Sequence, residues 1–309
     1  MLIHHLFYSE ASRLLYDDFT IHGLGVVNQI GILGKVCVAI FVFVSGYGLS
    51  YKYKDSLDVK AFYMGRFKKL LLNYWFIWLV FVPIGVFVFH RTFEDAYGSH
   101  YVVKSLLDFF GVLNLTGQYG YNVTWWFYSC IIVLYIIFPL LNMQFEKCPF
   151  LILTLVLFAA FLGFIPPIQP WCYFILPFIS GMLMERKSHL FKSVGKYECA
   201  LSLMLLCVMR NFCGNIWFIV DTLICIGLAI LLYSFQLPKI IDSVFVFLGK
   251  HSMNIFLFHT FIYYYWFQDI IYMTRNPFII FLFLLSTCLT ISIILEWMKK
   301  YTLYKIIRS

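Results

Sequence analysis

Two histidines stand side by side near the start of the chain, in "MLIHHLFYSE". Imidazole ordinarily titrates near pH 6.5, which suits it to take a proton from a hydroxyl at neutral pH. On a helix, successive residues point about 100° apart, so only one of His4 and His5 can face the interior of a bundle. His259, in "GKHSMNIFLFHTF", offers a further imidazole, and Asp221, in "IWFIVDTLICIG", a carboxylate inside an apolar run. An ionisable group at such a position is costly, so it should face inward and be paired. Phosphate recognition calls for an arginine fork, because guanidinium binds two oxygens at once where ammonium is a point charge. Arg66 is the only arginine of the basic loop 51–69, with Lys68 and Lys69 beside it. Each of these residues also has a plainer role. The histidines could sit at the membrane interface, the cations could set topology and touch lipid headgroups, and Asp221 could make a structural hydrogen bond. The nine cysteines are scattered through apolar runs with no CxxC and no zinc-like His/Cys spacing, so no metal site is expected.

The elements that must position these groups are membrane helices. Only 12% of residues are charged and 62% are hydrophobic, against about 25% charged in soluble domains. Apolar runs approaching the ~20 residues of a bilayer-crossing helix occur at 30–50, 70–89, 125–142, 150–166, 171–184, 198–213, 216–235, 253–268 and 278–297. The net charge of +8 does not imply nucleic acid, because the basic residues fall in short clusters between these runs. Loops 51–69 and 185–197 and the tail from Lys299 collect most of the 23 Lys and Arg, while the opposite loops hold Arg13, Arg91, Lys104, Arg210 and Arg275. That bias places the basic loops and the C-terminus in the cytoplasm of a multi-pass cell-membrane protein. The expected fold is an all-α bundle forming one membrane-embedded domain over 1–309, with no soluble domain. It has about ten spans if "MLIHHLF" is the end of a first helix that begins upstream of this chain; otherwise those residues are an ordinary external terminus.

Three ordered stretches resemble acyltransferase family 3, polytopic membrane enzymes that modify extracellular glycans. An apolar run closes in Ser45, Gly46, Tyr47, Leu49 and Ser50 ("FVFVSGYGLS"). It is followed by "FYMGRFKKLLLNYW", where Phe62, Arg66, Lys69, Tyr74 and Trp75 fall on the family's basic-loop pattern while Gly65 and Asn73 depart from it. In "WWFYSCIIVLYIIFPLL", Trp126, Ser129, Tyr135 and Pro139 match. In "GKHSMNIFLFHTF", Gly249, Ser252, Phe256 and His259 are in register. The family's first helix usually opens with a basic residue about eleven positions before a reactive histidine. "HHLF" stands at the corresponding place here, but the basic residue is absent.

The resemblance implies O-acyl transfer, most simply of acetyl, from acyl-CoA as co-substrate to a hydroxyl of a surface or exported carbohydrate, with no bound cofactor. It implies His5 as the base, with His4 next, and Arg66, Lys69 and Lys68 as donor-binding groups at the cytoplasmic side, where acyl-CoA is made. Ser45, Tyr47, Trp126, Asp221 and His259 become candidates for supporting the base or touching substrate. The loop "GVLNLTGQYGYNVT" could fold back toward sugar or be a plain loop, and its sequons at Asn114 and Asn122 add little. The expected partners are acyl-CoA, a carbohydrate acceptor and the lipid bilayer, not nucleic acid; the sequence leaves the oligomeric state open. A transporter or flippase for a glycan or lipid-linked precursor would share the polytopic pattern, but no repeat symmetry favours it. An inactive truncated homologue would share the motifs.

Overall fold

The computed structural model describes residues 1–144, 171–188, 194–234 and 238–308, together with positions 154, 158 and 161. Within them the chain is a helical bundle with a single two-residue hairpin. A short helix α1 (Leu2–Phe7) leads through a looped segment to β1 (Thr20–Ile21) and β2 (Leu24–Gly25), paired antiparallel with Ile21 opposite Leu24. The turn between them uses His22 and Gly23, both at positive φ, as a tight right-twisted hairpin requires. Helices α2 (Val26–Leu33) and α3 (Val36–Tyr53) follow almost end to end, then α4 (Val59–Phe87), α5 (Phe93–Tyr97), α6 (Tyr101–Phe109) and α7 (Trp126–Gln144). The second half comprises α8 (Trp171–Arg186), α9 (Lys196–Met209), α10 (Trp217–Ser234), α11 (Lys239–Thr260), α12 (Gln268–Tyr272) and α13 (Pro277–Arg308).

Six rods among the described residues are long and apolar enough to cross a membrane: Val26–Tyr53, Val59–Phe87, Val123–Gln144, Gly214–Ser234, Lys239–Trp266 and Pro277–Tyr301. Several outrun the apolar windows of the sequence, because helical hydrogen bonding continues into the polar ends that water and headgroups tolerate. Of the other expected runs, 171–184 and 198–213 form helices of 16 and 14 residues. These are about 24 and 21 Å long at 1.5 Å per residue, below the ~30 Å hydrocarbon core. The run 150–166 lies outside the described residues.

Polar side chains fix the helix starts. Asp58 caps α4 by accepting from the Ala61 amide (3.1 Å), and Asn276 accepts from Phe278 and Ile279 (3.0 and 3.2 Å) ahead of α13, whose first residue is Pro277. Asp18 reaches over from the looped segment to take the Val27 and Asn28 amides (2.8 and 3.2 Å) at the start of α2. Helices α3 and α8 pack closely. Gly46 lies against the Phe178 carbonyl and Gly181 against the Phe43 carbonyl, so a side chain at either position would strike backbone. Small residues facing each other in this way let membrane helices pack by dispersion alone.

Candidate functional site

A helix of six residues is about 9 Å long and too short to hold itself, yet α1 is firmly placed. The carbonyls of its last two residues, which have no helical partner, are taken by side chains from elsewhere. Tyr272 donates to the Leu6 carbonyl (2.8 Å), Tyr16 and Asn28 to that of Phe7 (3.1 and 2.9 Å), and Asn28 also to that of Tyr8 (3.1 Å). Gly31 lets the backbone of Phe7 lie directly on α2, and Gly34 does the same for His4. At the α2–α3 junction the Lys35 amide bonds to the Ile32 carbonyl rather than to Gly31. The Gly31 carbonyl takes His4 Nδ1 instead, at 2.9 Å.

His4 is so committed and stacks on Tyr8 (4.4 Å), and the His5 ring meets it edge-on at 5.0 Å. The His5 ring lies 4.8 Å from that of His259, centroid to centroid, with Tyr263 at 6.4 Å. His259 is fully buried. Its Nδ1 lies 2.9 and 3.0 Å from the carbonyls of Ile255 and Phe256, which can only accept, so Nδ1 carries the hydrogen. Nε2 is then a bare lone pair, and it has no hydrogen-bond partner among the described residues. The aromatic ring nearest to that of His259 is His5. A carbonyl that holds Nδ1–H and aims Nε2 performs the orienting task that a carboxylate performs in hydrolytic triads. Just beyond, Phe261–Trp266 is a π-helix, a rare form that gathers at functional sites.

The loop 111–124 folds back onto this helix. Asn122 and Trp125 both donate to the Leu257 carbonyl (3.2 and 2.8 Å), and Asn122 holds Thr124 through its own oxygen. Asn122 is therefore buried in the bundle, supporting the turn that carries His259. Beneath the loop, Asp108 is buried and receives Tyr97 Oη (2.6 Å), the Tyr121 amide (2.9 Å) and Tyr74 Oη (3.3 Å). Burial pushes the Asp108 carboxyl up to about 6, against the pull of those donors.

The candidate donor-binding residues lie toward the other end. Phe81 packs on Phe258 and Phe261 (5.1 and 5.2 Å), so it marks the level of His259 on α4. Arg66, on the same helix, is about 22 Å away at 1.5 Å per residue. The cations at that end divide into two groups. Arg186 donates to Ser50 (3.1 Å) and Asn142 (2.8 Å), and Lys299 to Asn254 (2.7 Å), Glu296 (3.0 Å) and Asn73. Arg66 is half-buried over the Tyr53 ring (5.9 Å) and makes no ion pair among the described residues, and Lys68 and Lys69 are exposed beside it.

The remaining candidates are spread out. Ser45 lies beside Tyr135. Tyr47 lines an apolar cavity of about 340 Å³ with Phe43, Met184, Ile230 and Tyr233. Trp126 stacks on Phe174 (5.6 Å), and it is its neighbour Trp125 that anchors to α11. Asp221 forms a buried, two-pronged ion pair with Arg210. The geometry thus joins His5 with His259 and separates both from Arg66. Sequence reading passed over Arg210, Lys35, Lys299 and Asp108.

The family model described as an acyltransferase domain matches residues 1–297. No curated protein and no solved structure matches the chain. With that match over nearly its whole length and a bundle of membrane-crossing helices around the histidine pair, the chain belongs to the acyltransferase 3 family of membrane acyltransferases.

Proposed function

We propose that the protein transfers an acyl group, acetyl in the simplest case, from acyl-CoA to a hydroxyl of a cell-surface or exported carbohydrate. The observation that carries this reading is the His5–His259 pair, a bare imidazole lone pair against a second imidazole at one end of a family-matched bundle. His5 takes the proton of the acceptor hydroxyl as its oxygen attacks the thioester carbonyl. The tetrahedral intermediate collapses, the carbon–sulfur bond breaks, and the proton passes to the departing CoA thiolate. His259, fixed by two carbonyls, lies against His5 and polarises it. Arg66, which makes no ion pair among the described residues, presents its fork to the donor's phosphates, with Lys68 and Lys69 adding charge. The basic end then faces the cytoplasm, together with the C-terminus, and the histidine end faces outward. The distance of about 22 Å between Arg66 and the level of His259 fits a donor that enters from one side and an acceptor that waits at the other.

The test is transfer of radiolabelled acetyl from acetyl-CoA to the glycan fraction of membranes containing the full chain. Label that appears with wild type and falls with His5→Ala supports the reading. Glycan moved unmodified across the membrane would make the protein a transporter, and neither transfer nor transport would make it inactive; either result removes the proposal.

A further inference from the structure

Beside His4 lies a second cluster that acyl transfer itself does not use. Lys35, at the α2–α3 junction, is half-buried within the membrane-crossing rod Val26–Tyr53. Its ammonium sits 4.1 Å over the ring of Trp217 and has no hydrogen-bond or ion-pair partner among the described residues. The guanidinium of Arg210 lies 5.5 Å from the same ring, but both its prongs are spent on Asp221, and that pair is buried. Two cations therefore share one carboxylate. An unbalanced cation inside a bilayer is expensive, and such groups persist where they serve a substrate or ion. The indole supplies part of what Lys35 lacks, since cation–π contact is worth on the order of 0.5–2 kcal/mol, but a ring face carries no formal charge. Position adds the rest: Gly34, next to Lys35, is in contact with the backbone and Cβ of His4.

We infer that Lys35, with Trp217 beneath it, binds an anionic oxygen group on the acceptor, so that the substrate class is an acidic rather than a neutral glycan. The carboxylate of a uronic acid and the phosphate of a phosphorylated sugar share the required chemistry, and Trp217 offers a flat apolar face for the adjoining ring. Reading the ligand as the acceptor rests on the proposed acyl transfer; the binding itself does not.

The experiment uses the purified full chain in nanodiscs, titrated with tetragalacturonate, with a neutral tetrasaccharide of glucose and with inorganic phosphate, and followed by tryptophan fluorescence and thermal shift. Wild type should bind tetragalacturonate, Lys35→Gln should bind it about 30-fold or more weakly, and Lys35→Arg should stay close to wild type. Rescue by arginine also shows that the site is folded. Binding of phosphate alone, lost in Lys35→Gln, supports the site and assigns its anion to a phosphate. Equal affinity of wild type and Lys35→Gln for every probe, or no binding of either anion, overturns the inference. In the acetyl-transfer assay, Lys35→Gln should raise KM for an acidic acceptor and leave a neutral one unchanged. Equal loss of kcat on both would mean that Lys35 acts on the reaction itself, and overturns it. Lys35-dependent anion binding by a chain that transfers no acetyl would leave this inference standing and remove the acyl-transfer reading.

Discussion

His4 and His5 are neighbours in the chain with different surroundings. His4 completes the hydrogen bonding of a helix junction through Gly31, whereas the His5 ring makes no hydrogen bond among the described residues and lies against that of His259. His5→Ala should therefore lower the acetyl-transfer rate by on the order of 10²–10⁴ with the thermal midpoint nearly unchanged. His4→Ala should show the reverse weighting. It leaves the Gly31 carbonyl unpaired, at a cost of about 1–3 kcal/mol, and the rate falls less. Single-turnover assays and thermal unfolding of both variants check this; equal rate losses would show that the two imidazoles are not divided as described. At the opposite end, Arg66→Ala should raise the KM for acetyl-CoA more than Arg66→Lys, because the fork is lost before the charge. An unchanged KM in Arg66→Ala at limiting donor would take Arg66 out of the donor site.

At the scale of elements, α1 is a short helix whose position is set by its neighbours. A Cβ at Gly31 would lie 2.7 Å from the Phe7 carbonyl carbon, a backbone atom that cannot swing aside. Gly31→Val should push α1 away from α2 and carry His5 off His259, abolishing most activity without touching a chemical group. Gly48→Ala, where a Cβ meets nothing within 4 Å, should leave activity unchanged. If both variants were equally active, α1 would not need its close seat on α2. The excursion α5–α6 makes a pH prediction. The folded Asp108 titrates at about 6 against an ordinary 3.8, so the fold holds its proton more tightly than the unfolded chain does. That contribution is fully present below about pH 4 and is lost as pH rises through about 6. Thermal midpoints measured from pH 4 to 7 should fall more steeply for wild type than for Asp108→Asn; parallel curves would show that Asp108 does not couple to folding.

For the whole molecule, the end of the bundle away from the histidines carries cations of two kinds. Arg186 and Lys299 are tied into networks with Ser50, Asn142, Asn254 and Glu296, while Arg66, Lys68 and Lys69 stay free of ion pairs among the described residues. If the basic end is cytoplasmic, a phosphatase that is active only outside the cytoplasm should be silent when fused after Ser309. Its activity there would invert the orientation, and with it the assignment of donor and acceptor sides.

Much of this was legible in the linear chain. Apolar runs, charge bias and ordered motifs are properties of composition and spacing, so they gave the helical membrane class, the family and the candidate histidines. The rod Val59–Phe87 was longer than its apolar run for the same reason, since hydropathy marks where lipid is and not where a helix stops. Which imidazole meets which was decided only in three dimensions. His5 and His259 are brought together by side chains of Tyr16, Asn28 and Tyr272 that cap a six-residue helix, the last from 266 residues along the chain. The same holds for Arg210 with Asp221 and for Lys35 over Trp217. A sequence pattern records the face a residue prefers, but a buried charge or lone pair takes its partner from whichever helix packs there, and packing is a property of the whole bundle.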